Sequence, residues 1–301
     1  MRNLTKSILI IVLTFSGFVS AQQLPQFTQY MFNTISVNPA YAGSRNTINL
    51  TALHRNQWAG IDGNPTTSTV SLHTPLSNEK IGLGLSYISD QLGFERTNFV
   101  YGDFSYSVQV SPEAKLSFGL KGGFTNYNKE DVDPLDTAET NVSAWQPNFG
   151  AGVYVSTNRW YAGFSSPRII NNAPQQGEFS QLERVSYYAI GGLVLDLSLD
   201  IKFRPSFITK FTNGAPASYD VTAGFLFYEK VWAGASYRFN DAANFGAYAD
   251  YQISKDFRIG YAYDLPTGTI RPYSGGTHEI ILIFEPTLNK KKSLYRSPRY
   301  F

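Results

Sequence analysis

From Arg45 to Pro286, apolar and polar residues alternate in one short run after another, with turn-forming residues in between. Ile81, Leu83, Leu85 and Tyr87 are interleaved with Gly82, Gly84 and Ser86. Tyr219, Val221, Ala223, Phe225 and Phe227 are interleaved with Asp220, Thr222 and Gly224. Phe257, Ile259, Tyr261, Tyr263 and Leu265 are interleaved with Arg258, Gly260, Ala262 and Asp264. A period of two places alternate side chains on opposite faces of a strand, so each run has one apolar and one polar or small face. Fourteen such runs are predicted: 45–54, 66–74, 80–90, 94–109, 114–126, 147–156, 159–165, 184–197, 201–212, 217–228, 231–239, 243–253, 257–265 and 277–286.

Connection lengths narrow the choice further. The odd-numbered connections 55–65, 127–146, 166–183 and 266–276 are long, whereas 75–79, 110–113, 156–159 and 254–256 are short. Two odd connections, 213–216 and 240–242, are short exceptions. A soluble sandwich or propeller has no reason to alternate its loops in this way. A membrane barrel does, because its turns are short at the periplasmic end and long outside. Composition agrees. Charged residues are only 16% of the chain, below the roughly 25% usual for soluble domains, and there are 22 Phe, 20 Tyr and 4 Trp. The expected fold is an all-β, transmembrane antiparallel barrel of about fourteen strands, with an even count leaving both termini periplasmic.

The chain divides into four parts. Residues 1–21 have Arg2 and Lys6 before an apolar core, Ile8 to Val19, and end on Val19-Ser20-Ala21, the form of a cleaved secretory signal. Residues 22–44 form an N-terminal segment, 45–286 the barrel, and 287–301 a basic tail. Export through that signal and a lipid-facing wall place the protein in the outer membrane.

Little in the sequence points to chemistry. There is no cysteine, and the net charge of +2 gives no global field for nucleic acid. His54 and His278 fall on strands that must meet at closure and share faces with apolar residues, which suits interface-level histidines better than a metal site. The acidic stretch 130–139 lacks the spacing and central Gly of a calcium loop and reads as a solvated loop. No nucleophile elbow or phosphate loop occurs. No catalytic, metal or cofactor residues are assigned.

The one part that is not barrel wall is Gln26 to Ser44, QFTQYMFNTISVNPAYAGS. Its aromatic and amide residues, Tyr30, Phe32, Asn33, Asn38 and Tyr41, suit packing inside a lumen, and Pro39 and Gly43 suit a turn into the first strand. Arg204, Arg238 and Arg258 lie on polar strand faces, because a charge on the lipid face costs roughly 2–4 kcal/mol near the midplane. The expectation is that the segment enters from the periplasmic side, its Asn and Gln side chains pairing with these arginines. The alternative is an adapter lying beneath the barrel. Arg55, Gln57 and Trp58 in the first long loop, Tyr273 in the last, and Tyr300 and Phe301 in the tail are candidate contacts for a partner protein.

These stretches also resemble a known family. QFTQYMFN, NPAYAGS, TALHRNQWAG with GNPTT, PNFGAGVYV with RWYAGFSSP, and YSGGTHEIIL occur in the order of the PorP/SprF family, outer-membrane proteins of type IX secretion and gliding. The resemblance spans nearly all of the mature chain. It implies a fourteen-stranded barrel similar to the fatty-acid-transporter barrels, without catalysis. It also implies partners among periplasmic type IX components or the C-terminal domain of a secreted adhesin held at the surface. An outer-membrane diffusion channel for small hydrophobic solutes is the alternative function.

Overall fold

The structure, a computed structural model, describes residues 26–76, 79–129, 142–171, 184–239, 243–267, 270–286 and 300. The signal sequence, the acidic stretch 130–139, Phe301 and the tail up to residue 299 lie outside the described residues.

The wall consists of β1 (Asn49–Asn56), β2 (Thr66–Pro75), β3 (Ile81–Leu92), β4 (Glu95–Gln109), β5 (Lys115–Lys129), β6 (Val142–Ser156), β7 (Trp160–Ser166) and β8 (Ser186–Leu193). It continues with β9 (Leu195–Asp196), β10 (Ile201–Thr212), β11 (Ser218–Phe227), β12 (Val231–Phe239), β13 (Ala243–Gln252), β14 (Phe257–Pro266) and β15 (Thr277–Phe284). Because β8 and β9 lie end to end on β10, these fifteen segments make fourteen staves. Each stave is antiparallel to its neighbours, and β15 pairs with β1 to close the sheet. Closure gives the backbone N–H and C=O groups of every stave a partner, which the hydrocarbon interior of a membrane demands.

The alternation of residue types becomes an alternation of burial. Along β11 the pattern is strictly buried then exposed, with Asp220 and Thr222 inward and Tyr219, Val221 and Phe225 outward. Leu85 and Leu120 are 63% and 62% exposed. Side chains so apolar and so uncovered form a lipid-facing surface, not a soluble one.

Several boundaries differ from those read in the sequence, and the run 184–197 is split into β8 and β9. β1 begins at Asn49, not Arg45, because the Arg45 guanidinium is drawn inside the barrel mouth to Glu285 at 3.1 Å. β5 and β6 extend to Lys129 and from Val142, since their ladder continues through Tyr127↔Ala144, beyond the region of clean alternation. The β3–β4 connection, Gly93–Phe94, is a third short outer turn, made possible by a positive φ of 57° at Gly93.

Candidate functional site: the occupied lumen

Residues 26–46 lie within the barrel. They are too short of regular hydrogen bonding to form an α-helix and instead make three single 3-10 turns, Tyr30–Phe32, Thr34–Ser36 and Pro39–Tyr41. Pro39 occupies the first position of its turn, where no N–H is needed, and Asn38 Oδ1 accepts the Ala40 N–H at 3.0 Å. Inward side chains of the wall supply further bonds. Ser165 Oγ donates to the Val37 carbonyl (2.8 Å), Lys121 Nζ to that of Ile35 (3.2 Å) and Ser105 Oγ to that of Ala42 (2.6 Å), while the segment's own Asn38 Nδ2 donates to the wall carbonyl of Val153 (3.0 Å). Tyr30, Met31, Phe32, Ile35, Ala40 and Tyr41 are at most 4% exposed. With inward wall residues such as Leu53, Tyr161, Ile208 and Ile281 they form the main apolar core of the barrel.

The segment runs the length of the lumen. Its first residues sit at the outer end, among the strand ends that lead into the long loops. There the N–H groups of Thr28 and Gln29 both donate to the Glu279 carboxylate (3.0 and 2.8 Å), and Thr28 Oγ1 donates to Asp264 (2.7 Å). Arg55 Nη1 bridges both acids, 3.0 Å from Asp264 and 3.2 Å from Glu279, with all three side chains buried. The last residues lie at the opposite mouth, where Thr47 Oγ1 donates to the Pro286 carbonyl at 2.6 Å. Thr28 is thus bonded, 251 residues away, to the loop end of β15, opposite the mouth that holds Thr47, where the expectation had the segment enter from the periplasmic side; residues 22–25 lie outside the described residues. Since the chain lacks cysteine, Gln26→Cys in intact cells should react with a bulky, membrane-impermeant maleimide. Thr47→Cys should react only after the outer membrane is permeabilised. Equal labelling of both would refute the through-lumen path.

The inward arginines behave differently from expectation. Phe32 lies between two guanidinium groups, with Arg204 at 4.6 Å and Arg258 at 5.0 Å from the ring centre, and Arg204 also covers Trp232 at 4.0 Å. Arg238 is paired with Asp220 at 2.8 Å. Two of the segment's amides are engaged elsewhere: Asn33 accepts from Ser71 and Asn38 caps its own turn. A weakly hydrated, planar guanidinium gains from an aromatic face once both are out of water. Tyr30 OH donates to Ser206 at 3.2 Å. Phe32→Ala should therefore cost about 3–5 kcal/mol, as for other buried Phe truncations, seen as a lowered urea midpoint in detergent. A loss below about 1 kcal/mol would mean that the ring is not an anchor.

Near the periplasmic mouth, Gly43 turns the chain with φ 71° and its N–H donates to His73 Nδ1 at 3.2 Å. Tyr41 meets His73 and Tyr154 edge-on, with ring centres 5.3 and 5.5 Å away. His73 was not among the residues expected here, although it shares the inward parity of Thr69 and Ser71. The closest backbone approaches fall on two wall glycines. A Cβ on Gly82 would lie 2.2 Å from the Ala42 oxygen, and one on Gly119 would lie 2.1 Å from the Ala40 nitrogen. One region is imperfectly satisfied: among the described residues, neither the Gln29 amide atoms nor the Asp250 carboxylate oxygens have a hydrogen-bond partner.

The candidate partner contacts separate into three places. Arg55 does not stand in the first loop. It closes β1 with its side chain turned into the lumen, 2% exposed and committed to Asp264 and Glu279, so it offers nothing to an external partner. Gln57 and Trp58 on the first loop and Tyr273 on the last lie at the outer rim, where the two loops are tied by the Ala59 N–H donating to the Gly276 carbonyl (2.8 Å) and the Gly275 N–H to the Ala59 carbonyl (2.7 Å). Tyr273 there is 76% exposed. Tyr300 is at the other end and folds back onto the barrel, with its hydroxyl donating to Glu229 at 3.3 Å. His54 and His278 are on the outer face, bonded to Ser68 (2.9 Å) and Tyr261 (2.6 Å). Among the described residues no cluster of His, Asp or Glu is arranged to hold a metal ion.

A closed antiparallel sheet of fourteen staves, apolar outside and charged inside, is an outer-membrane β-barrel. The family model described as type IX secretion system membrane protein PorP/SprF matches residues 19–284, and the chain belongs to that family. No curated protein matches it in sequence. Among solved structures, the CymD monoaromatic hydrocarbon channel aligns with a TM-score of 0.52 at 10% identity, over 86% of this chain and 94% of that one. Omp33 of Acinetobacter baumannii aligns at 0.49 and 11% identity, over 81% and 99% of the two chains. A Pseudomonas aeruginosa FadL homologue aligns at 0.47 and 13% identity, over 87% and 95%. At these identities the CymD likeness speaks for the barrel fold alone.

Proposed function

We propose that this barrel serves type IX secretion as a non-enzymatic platform, holding a secreted adhesin by its C-terminal domain at the outer rim. Periplasmic components of the machinery would engage the opposite mouth. The observation that carries this reading is the buried segment 26–46, which occupies the lumen where a solute pathway would run. The tied loops bearing Gln57, Trp58 and Tyr273 form the rim surface, and Trp and Tyr are favoured as contact anchors. Gentle detergent purification with mass spectrometry tests it. A large exported protein should co-purify, and Trp58→Ala combined with Tyr273→Ala should lower its recovery at least tenfold. Unchanged recovery from the double variant would remove the rim from the proposal.

The diffusion-channel reading retains one supporting observation. The unpaired Gln29 and Asp250 side chains make the seat of the segment incompletely satisfied, and each such buried group costs about 1–3 kcal/mol. For that reading the intact protein must show large, steady openings in planar bilayers. The platform reading expects a silent membrane.

A further inference from the structure

At the periplasmic mouth, between the β11–β12 and β13–β14 turns, is a cavity of about 390 Å³ bordered by Leu226, Glu229, Trp232, Tyr251 and Arg258. Tyr300 occupies its rim. Its carbonyl accepts from Arg204 Nη1 at 2.5 Å, its hydroxyl donates to Glu229, and its ring lies 5.5 Å from Lys202 Nζ. The same Arg204 guanidinium covers Phe32 of the inner segment and Trp232 of the wall, and donates Nη2 to the Tyr248 hydroxyl at 3.2 Å. One buried cation thus touches the inner segment, the wall and the C-terminal region.

We infer that this cleft is a peptide-docking site whose resident occupant is the chain's own segment at Tyr300, and that Arg204 couples its occupancy to the seating of Phe32. Two features support the inference. Arg204 is fully buried and its Nε has no partner, so losing the Tyr300 carbonyl leaves the guanidinium short of a second acceptor. It then gains by turning away from Phe32. The remaining Tyr300 contacts, its hydroxyl on Glu229 and its ring near Lys202, lie at the solvated rim, where they are weak enough for one charge reversal to dislodge the residue. Tethering compensates, because an attached occupant acts at an effective concentration of about the millimolar range. The arrangement is a latch: a periplasmic polypeptide that competes for the cleft removes Tyr300 and loosens the inner segment from below.

The test uses the full chain in its native membrane, with Lys230→p-benzoylphenylalanine at the edge of the cleft as a photoreactive probe, so that the Tyr300 hydroxyl is kept. Irradiation should give an intramolecular cross-link mapping to the C-terminal peptide that carries Tyr300. Adding Glu229→Lys, an exposed change, should lower that yield at least threefold while heat-modifiable gel migration shows a folded barrel. Cross-links only to other polypeptides, or a yield indifferent to Glu229→Lys, would overturn the docking site. The coupling is read separately, as maleimide labelling of the half-buried inner position Val37→Cys. Its rate should rise several-fold with Glu229→Lys, and an unchanged rate would overturn the latch.

Discussion

Replacing Gly119 with alanine should unseat the inner segment and turn a silent barrel into a conducting one. The added methyl carbon would lie 2.1 Å from the Ala40 nitrogen and 2.4 Å from the carbonyl carbon of Pro39, distances no real contact reaches. Both atoms belong to a 3-10 turn held by Asn38 and by Pro39's own fixed φ, so neither can swing aside as a side-chain tip would. The wall at Gly119 is in continuous register with β4 and β6 and is equally constrained. Overpacking of this kind costs about 1–3 kcal/mol, occasionally more, and the cheapest relief is for the segment to leave. Planar-bilayer recordings should change from no steady current to frequent openings. Gly102→Ala is the control: it lies on the outer face, where a Cβ meets only one atom, the Gly122 oxygen at 3.9 Å, and it should be silent. If Gly119→Ala were as quiet as Gly102→Ala, the close seat would not govern conductance.

The second large effect is expected at Arg55. Its guanidinium is the buried cation shared by Asp264 and Glu279, and Glu279 in turn receives both N–H groups that hold the outer end of the segment. Arg55→Ala leaves two carboxylates facing one another without compensation. Removing one partner of a buried ionic cluster costs about 3–5 kcal/mol, because the remaining charge is desolvated and unpaired. The urea midpoint of the folded barrel should fall accordingly. Asp264→Asn added to Arg55→Ala should recover part of the loss, since the two sites share a hydrogen bond and their effects cannot be additive. A single-variant loss below about 1 kcal/mol would mean that the cluster is open to water. Glu279→Gln is a poorer rescue, since it also weakens the acceptor for Thr28 and Gln29.

Much of the wall was legible because strand parity is local. Leu83, Leu85 and Tyr87 declare the lipid face by their spacing, and Arg204, Arg238 and Arg258 declare the inner face by theirs. Legibility faded where the cue weakens. Asn56 and Gln57 break the alternation after His54, so the pattern ends one residue before Arg55 although Arg55 shares the inward parity of Leu53 and Thr51. His73 carries the same inward parity. The partners of the inward charges were not readable at all. Nothing near Arg204 in the chain suggests that its guanidinium should lie over Phe32, or that Tyr300 should reach it.

What the amino-acid order determined by itself is the material: staves with one greasy and one polar face, turns short and long in alternation, and a segment unlike either. Those properties arise from residues one or two apart and survive without knowledge of the fold. Only closure of the barrel decided where that segment lies and in which direction it runs. When β15 met β1, Glu279 came beside Arg55 and Asp264 and created acceptors at the outer end for Thr28 and Gln29. Gly82 and Gly119 meanwhile left bare backbone for the inner turns to rest against. A ring of strands brings distant residues to a common interior, and the interior chooses its occupant by shape, charge and hydrogen bonds that no single strand displays.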